Sequence, residues 1–192
     1  MSVTQRILVV SATDAEAAHV PPGTDVVVTG IGKVAAATAT TDALLSRRDG
    51  GEVAVFNIGT VGALHDDLSG LFLPSTVINY DVNGDVIRAL GYDPQDVLHI
   101  EDGDGTVLAS GDAFITDPET RRRLAERAQL VDMEGYAVAY ACQRLGVPVR
   151  LVKHVSDGAD ESALDWPSVV DASARVLGEW VAEHLEGWAD AQ

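Results

Sequence analysis

The sequence has one cysteine, Cys142, and only two lysines, Lys33 and Lys153, among its 192 residues. A lone cysteine excludes an internal disulfide and fits a reducing compartment, so a cytoplasmic location is expected. Basic side chains are scarce: 13 stand against 30 acids, a formal charge of −17. Such a surface repels nucleic acid and anionic lipid, and neither is expected as a partner. No run reaches the ~18 apolar residues of a membrane span. Met1 to Arg6 lead straight into a strand, without the charged segment and long apolar core of a secretory signal. Repeats, linkers and low-complexity tracts are missing, so residues 1–192 are expected to form one domain. Gly30-Ile31-Gly32-Lys33 lacks the spacing of a phosphate-binding Walker loop and of the full dinucleotide fingerprint.

What is present is an ordinary globular composition, 46% hydrophobic and 22% charged. Strands are expected over Arg6–Val10, Asp25–Thr29, Val53–Ile58, Leu73–Tyr80, Gly105–Ser110, Leu130–Asp132 and Val149–His154. Several are continuous Val/Ile/Leu runs, which suits strands covered on both faces. Helices are expected over Gly32–Arg47, Pro118–Arg127, Glu134–Leu145 and Pro167–Trp188. Asp117-Pro118 reads as a cap followed by proline at the first helical position, and Gly146 as a C-terminal stop. The last helix carries Val169, Val176, Leu177, Trp180, Val181, Leu185 and Trp188 as an amphipathic stripe for the core. Arg121, Arg122 and Arg123 read as a solvated face. The order reads strand, helix, strand, helix, strand, a strand-rich middle, then helix, strand, helix, strand, helix, an α/β pattern.

The chemistry-bearing residues lie where such strands end. Val131-Asp132-Met133-Glu134-Gly135 and Ser156-Asp157 place carboxylates at the C-terminal ends of two apolar strands, the edge at which open α/β sheets bind ligands. Glu134 opens a largely apolar helix, so its charge must be paired, face a cavity or complement the helix dipole. Asp157 either caps a turn or carries chemistry. The glycines around Ile31 form a tight turn or let backbone approach a ligand. Asn57-Ile58-Gly59-Thr60-Val61-Gly62 reads as a strand followed by a turn, whose amides and Thr60 hydroxyl could also face a ligand. In Ser110-Gly111-Asp112-Ala113-Phe114-Ile115, Asp112 orders the turn, and Phe114 is either core or a flat surface for an aromatic base. Asp14 reads as an N-cap, while Glu16, two residues on, points elsewhere and could serve as a general base for water.

Together these pieces resemble the purine nucleoside phosphorylase and nucleosidase superfamily, and within it the methylthioadenosine/S-adenosylhomocysteine nucleosidase branch. The matching blocks are Ile7 to Glu16, Thr29 to Ala37, Ile58 to Gly62, Ser110 to Ile115, Val131 to Gly135 and Val155 to Asp157, in the family's order. The resemblance implies a single-domain three-layer α/β/α sandwich around a mixed, mostly parallel central sheet, assembled as a homodimer, with no metal and no cofactor. It implies that Glu134 accepts hydrogen bonds from the ribose 2′- and 3′-hydroxyls, with Met133 against the sugar. Asp157, oriented by Ser156, would promote protonation of purine N7. Phe114 would stack on the base, the backbone of Ile115 would read its edge, and Thr60 and Ile31 would line the ribose and water region. Glu16 falls on the water-activating glutamate. Lys153 stands where relatives often have arginine, and Gly135 where alanine is commoner.

The expected function is hydrolysis of the N-glycosidic bond of an adenine-type nucleoside, a small-molecule substrate. A phosphorylase would need arginines to clamp phosphate. None lies between Ser11 and Glu16, Asn57 precedes the Ile58-Gly59-Thr60 block, and Glu16 itself would repel the anion. The alternatives are a phosphate-dependent purine nucleoside phosphorylase and a nucleoside-binding module without turnover.

Overall fold

Alternation along the central strands sends apolar side chains to both faces of one sheet, and helices cover each face. A computed structural model describes residues 6–47 and 51–185 of the chain, so Trp188 and its end of the expected last helix lie outside the described residues. The strands are β1 (Arg6–Ser11), β2 (Asp25–Val28), β3 (Val53–Ala63), β4 (Leu71–Phe72), β5 (Thr76–Asn79), β6 (Val97–His99), β7 (Val107–Ser110), β8 (Leu130–Asp132) and β9 (Val149–Asp157). The helices are α1 (Lys33–Ser46), α2 (Gly84–Ala89), α3 (Pro118–Ala125), α4 (Gly135–Leu145) and α5 (Trp166–His184). Leu8, Val10, Val55 and Leu151 pack under α1 and α4. Their neighbours Val9, Ala54, Phe56 and Val152 face the other way, against Leu177, Trp180 and Val181 of α5. Ala109 and Val131 share that second face and meet Leu124 of α3. This is the expected three-layer sandwich, and the double cover explains the unbroken apolar runs.

The sheet is mixed, with the order β2-β1-β3-β8-β7-β5-β6, and β9 branches from β3 to carry β4. Strands β2, β1, β3 and β9 run parallel to one another. Strands β8, β7 and β5 form a second parallel group. The two groups meet antiparallel, where Gly62 and Ala63 of β3 pair with Val131 and Leu130 of β8. Strand ends from both groups therefore converge at this seam.

Several expectations need correction. No helix follows β1: residues 12–24 make successive turns, and Asp14 is an exposed turn residue, not a cap. Strand β3 does not stop at Ile58. It continues through the Gly-Thr-Val-Gly motif because β9 runs beside it as far as Asp157, with one register shift between Val61 and Gly62. The motif is a strand with a bulge and not a turn. The expected strand Leu73–Tyr80 shortens to β5, β4 lies just ahead of it at Leu71–Phe72, and α2 and β6 are elements with no counterpart among the expected ones. Arg122 and Arg123 are exposed as expected, but Arg121 is half-buried and turns back to the Ala63 carbonyl at 3.3 Å and the Asp66 carboxylate at 2.7 Å. Other signals hold. The Asp117 carboxylate accepts from the Thr120 N–H at 2.7 Å at the start of α3. Gly146 closes α4 in the left-handed conformation, φ 67°.

Candidate functional site

The loops at the seam enclose a cavity of about 330 Å³. All nine residues singled out in the sequence line it: Glu16, Ile31, Thr60, Phe114, Ile115, Met133, Glu134, Ser156 and Asp157. So do Thr13, Gly62, Asp132, Ala159, Ala163 and Trp166. Glu16, Asp132, Glu134 and Asp157 are acidic, and no basic side chain is among the described lining residues.

Glu16 is buried, 5% exposed, and its carboxylate accepts three hydrogen bonds. The Thr60 N–H and the Thr60 hydroxyl both donate to Oε1 at 2.8 Å. The Thr13 hydroxyl donates to Oε2 at 2.9 Å while Thr13 Oγ1 accepts from the Glu16 N–H at 3.2 Å. Thr13 thus accepts the Glu16 N–H as an N-cap side chain does, the work expected of Asp14, and the Glu16 carboxylate answers by accepting the Thr13 hydroxyl. A carboxylate has about four acceptor positions, so Oε2 keeps one for a further donor such as water. The Trp166 indole N–H donates in turn to Thr60 Oγ1 at 2.8 Å.

Glu134 occupies the N-cap position of α4 yet makes no side-chain cap there. Its Oε1 instead accepts from the Gly32 N–H at 2.7 Å, across at the start of α1. Gly30 and Gly32 have φ of 84° and 96°, and this left-handed turn aims the amide. Capping of α4 falls to Asp132 and Ser110. Asp132 Oδ2 accepts from the Gly135 N–H at 2.9 Å, and Ser110 Oγ accepts from the Tyr136 N–H at 2.9 Å. The Ser110 hydroxyl closes the network on Asp132 Oδ1. A Cβ on residue 135 would stand 2.8 Å from Asp132 Oδ2 and 2.7 Å from Leu108, so glycine here is what lets Asp132 fold back.

Beneath the cavity, Lys153 pairs with Asp132 at 3.0 Å, both side chains 2% exposed. Burial is the main influence on the Glu134 carboxyl and raises it. The Asp132 charge raises it further, the Gly32 amide and Lys153 hold it down, and Glu16 raises it, bringing it to about 7.

Asp157 ends β9. Its Oδ2 accepts from the Ser156 hydroxyl at 2.7 Å and its Oδ1 from the Ala159 N–H at 2.9 Å. Ala159 adopts a left-handed φ of 50° to present that amide. Phe114 and Ile31 flank the mouth, 53% and 63% exposed, whereas Ile115 is buried. Asp112 does not order its own turn: its Oδ1 accepts from the Lys33 N–H at 2.7 Å, and its own N–H donates to Asp81 Oδ2 at 3.0 Å. Lys33 spans the same gap to Asn79 Oδ1 at 2.6 Å and to Asp81. His154 lies apart, against the Ser173 hydroxyl at 2.9 Å.

Four contributors escaped the sequence reading. Thr13 carried a usable signal in its spacing to Glu16. Lys153 carried another, since a lysine inside an apolar strand needs a partner. Asp132 was masked by Glu134, which occupies the cap position without capping. Trp166 gave no local signal, because its partner is 106 residues away.

Comparison with known proteins places this geometry in a family. Residues 23–185 match the model of the phosphorylase superfamily. A 5′-methylthioadenosine/S-adenosylhomocysteine nucleosidase of Shewanella sp. is 32% identical, covering 77% of this chain and 73% of its own. An aminodeoxyfutalosine nucleosidase of Helicobacter pylori is 28% identical, covering 81% of this chain and 77% of its own. The crystal structure of the Helicobacter pylori 5′-methylthioadenosine/S-adenosylhomocysteine nucleosidase shares the fold at TM-score 0.81, with 24% identity over 94% of this chain and 97% of that one. The chain belongs to the phosphorylase superfamily.

Proposed function

We propose that this protein is a purine nucleosidase that hydrolyses the N-glycosidic bond of an adenine-type nucleoside, releasing free base and sugar. The observation that carries the reading is the convergence of Glu16, Glu134 and Asp157 on one cavity of about 330 Å³. Its similarity to two kinds of enzyme named as nucleosidases supports the same chemistry.

Cleaving the bond builds positive charge on the sugar and negative charge on the departing base, the oxocarbenium problem that glycoside hydrolases solve with two carboxyl groups. Glu134, held by Gly32 through one oxygen, offers its remaining acceptor positions to the ribose 2′- and 3′-hydroxyls, with Met133 against the sugar. Asp157, oriented by Ser156, delivers a proton toward purine N7 as the base leaves. Phe114 stacks on the base and the Ile115 backbone reads its edge. Glu16 aligns and deprotonates the attacking water beside Thr60 and Ile31. General acid–base help of this kind contributes roughly 10²–10⁴-fold per group.

Water is favoured over phosphate because a phosphate needs a cationic clamp. The charged side chains of the described lining are all acids, and the buried Lys153 is already committed to Asp132. The experiment is a panel of purine nucleosides incubated with pure folded protein, with and without phosphate, following free base. Release at a rate independent of phosphate is expected. Phosphate-dependent release with sugar 1-phosphate as product would make it a phosphorylase, and base binding without release would leave only a binding module. We further propose a cytoplasmic homodimer, with the apolar side chains of Ile31, Val34 and Phe114 around the cavity mouth in the interface.

A further inference from the structure

Three donors hold Glu16, and one of them is itself held. Thr60 Oγ1 stands 2.8 Å from both Glu16 Oε1 and Trp166 Nε1. An indole N–H can only donate, and a carboxylate can only accept. The single hydroxyl proton of Thr60 therefore points at Glu16, because the indole proton takes a lone pair on the other side. The direction of the relay is fixed by chemistry: Trp166 to Thr60 to Glu16.

The indole is well anchored. Trp166 is the first residue of α5, followed directly by Pro167, and the helix is fastened to the sheet by Leu177, Trp180 and Val181. A short 3-10 turn, Glu161–Asp165, connects it back toward Asp157 at the end of β9. One brief segment thus carries both Asp157 and the residue that steadies Glu16.

We infer that Trp166 is a positioning residue for the attacking water: through the Thr60 hydroxyl it fixes the orientation of the Glu16 carboxylate. This rests on the reading of Glu16 as the group that aligns water. Without the indole, a lone pair of Thr60 opens toward the cavity and recruits a water of its own. That water competes with the one aligned on Glu16, and the Thr60 hydroxyl regains its rotation. Both effects act at the water side of the cavity and leave Glu134, Met133, Phe114 and Asp157 in place, so the loss falls on kcat more than on KM.

The test is a cycle of Trp166→Phe, Thr60→Val and the double variant, assayed by phosphate-independent base release. Trp166→Phe keeps an aromatic ring and removes only the donor. It is expected to lower kcat about fivefold, the worth of one net hydrogen bond, with KM changed less than about twofold. In the Thr60→Val background the same substitution should change kcat less than about twofold, because its route to Glu16 is gone. An equal loss in both backgrounds, or an unchanged kcat in Trp166→Phe, overturns the inference and leaves the proposed function standing. No base release by the unsubstituted protein overturns the function and this inference with it. A second measurement does not depend on folding of the Trp166→Phe variant. In protein labelled with ¹⁵N-tryptophan, the Trp166 indole proton should move upfield on Thr60→Val, and a resonance that stays in place shows there is no bond to carry the relay.

Discussion

Adjacent carboxylates at positions 132 and 134 divide the work of one loop between them. Asp132 takes the amides at the start of α4 and the ammonium of Lys153, which leaves Glu134 free to face the cavity and the Gly32 amide. The arrangement raises Glu134 from 4.5 to about 7, chiefly by burial and then by the neighbouring Asp132 charge. Two consequences of opposite sign follow from a carboxyl whose folded value is raised. For folding, the protonated form is favoured, so this group costs no stability below about 4.5 and progressively destabilises the free protein as pH rises through about 7. For substrate binding, the ionised form is the better acceptor for two ribose hydroxyls. The pH profile of kcat/KM should therefore show an acid limb with a midpoint near 7, falling about tenfold per pH unit below it. Glu134→Gln should flatten that limb and raise KM about ten- to a hundredfold, the worth of hydrogen bonds to a charged acceptor. A limb of unchanged position in the glutamine variant would assign the titration to another group.

At the scale of elements, the long strand β3 matters most, because it contributes Thr60, Val61 and Gly62 to the cavity lining. Gly62 is its tightest point. A Cβ there would lie 2.8 Å from the Ala159 side chain and 3.1 Å from Asp157 Oδ1. Gly62→Ala is expected to destabilise the fold by about 1–3 kcal/mol through overpacking. It should also lower kcat about a hundredfold by displacing Asp157, since a shift near 1 Å in a reacting group costs that much. Denaturant unfolding and steady-state kinetics measure the two effects separately, and wild-type kinetics in the variant would show that Asp157 tolerates the shift. The same strand shows what could be read in advance. The apolar runs Leu8 to Val10 and Leu151 to Val152 announce strands because both sheet faces are covered. The extension of β3 could not be read this way. Glycine and threonine signal a turn locally, and only the pairing with β9 turns the motif into strand. The segments α2 and β6 were hidden for a different reason: they are short, Val86 and Val97 are exposed, and Leu98 alone of β6 reaches the core, so no repeating core pattern marks them.

At the scale of the whole molecule, Ile31, Val34 and Phe114 put apolar surface beside the cavity mouth of a chain with a formal charge of −17. Light scattering should give twice the chain mass of 20.2 kDa at moderate salt. Val34→Glu, at a position outside the cavity lining, should shift the population to single chains. A single-chain mass for the unsubstituted protein at every concentration would remove the homodimer. The cavity's position was legible from strand ends alone, but the manner of its assembly was not, because the reversal of direction between β3 and β8 leaves no mark on either strand's composition. That reversal has a price in folding. Glu16, Thr60 and Asp157 belong to one parallel group, whereas Glu134 and Phe114 belong to the other. Each group can gather its own share of the chemistry, yet neither holds a complete set. Competence arises only once the two halves have docked along their common border, so a chain stalled with either half unformed is inert.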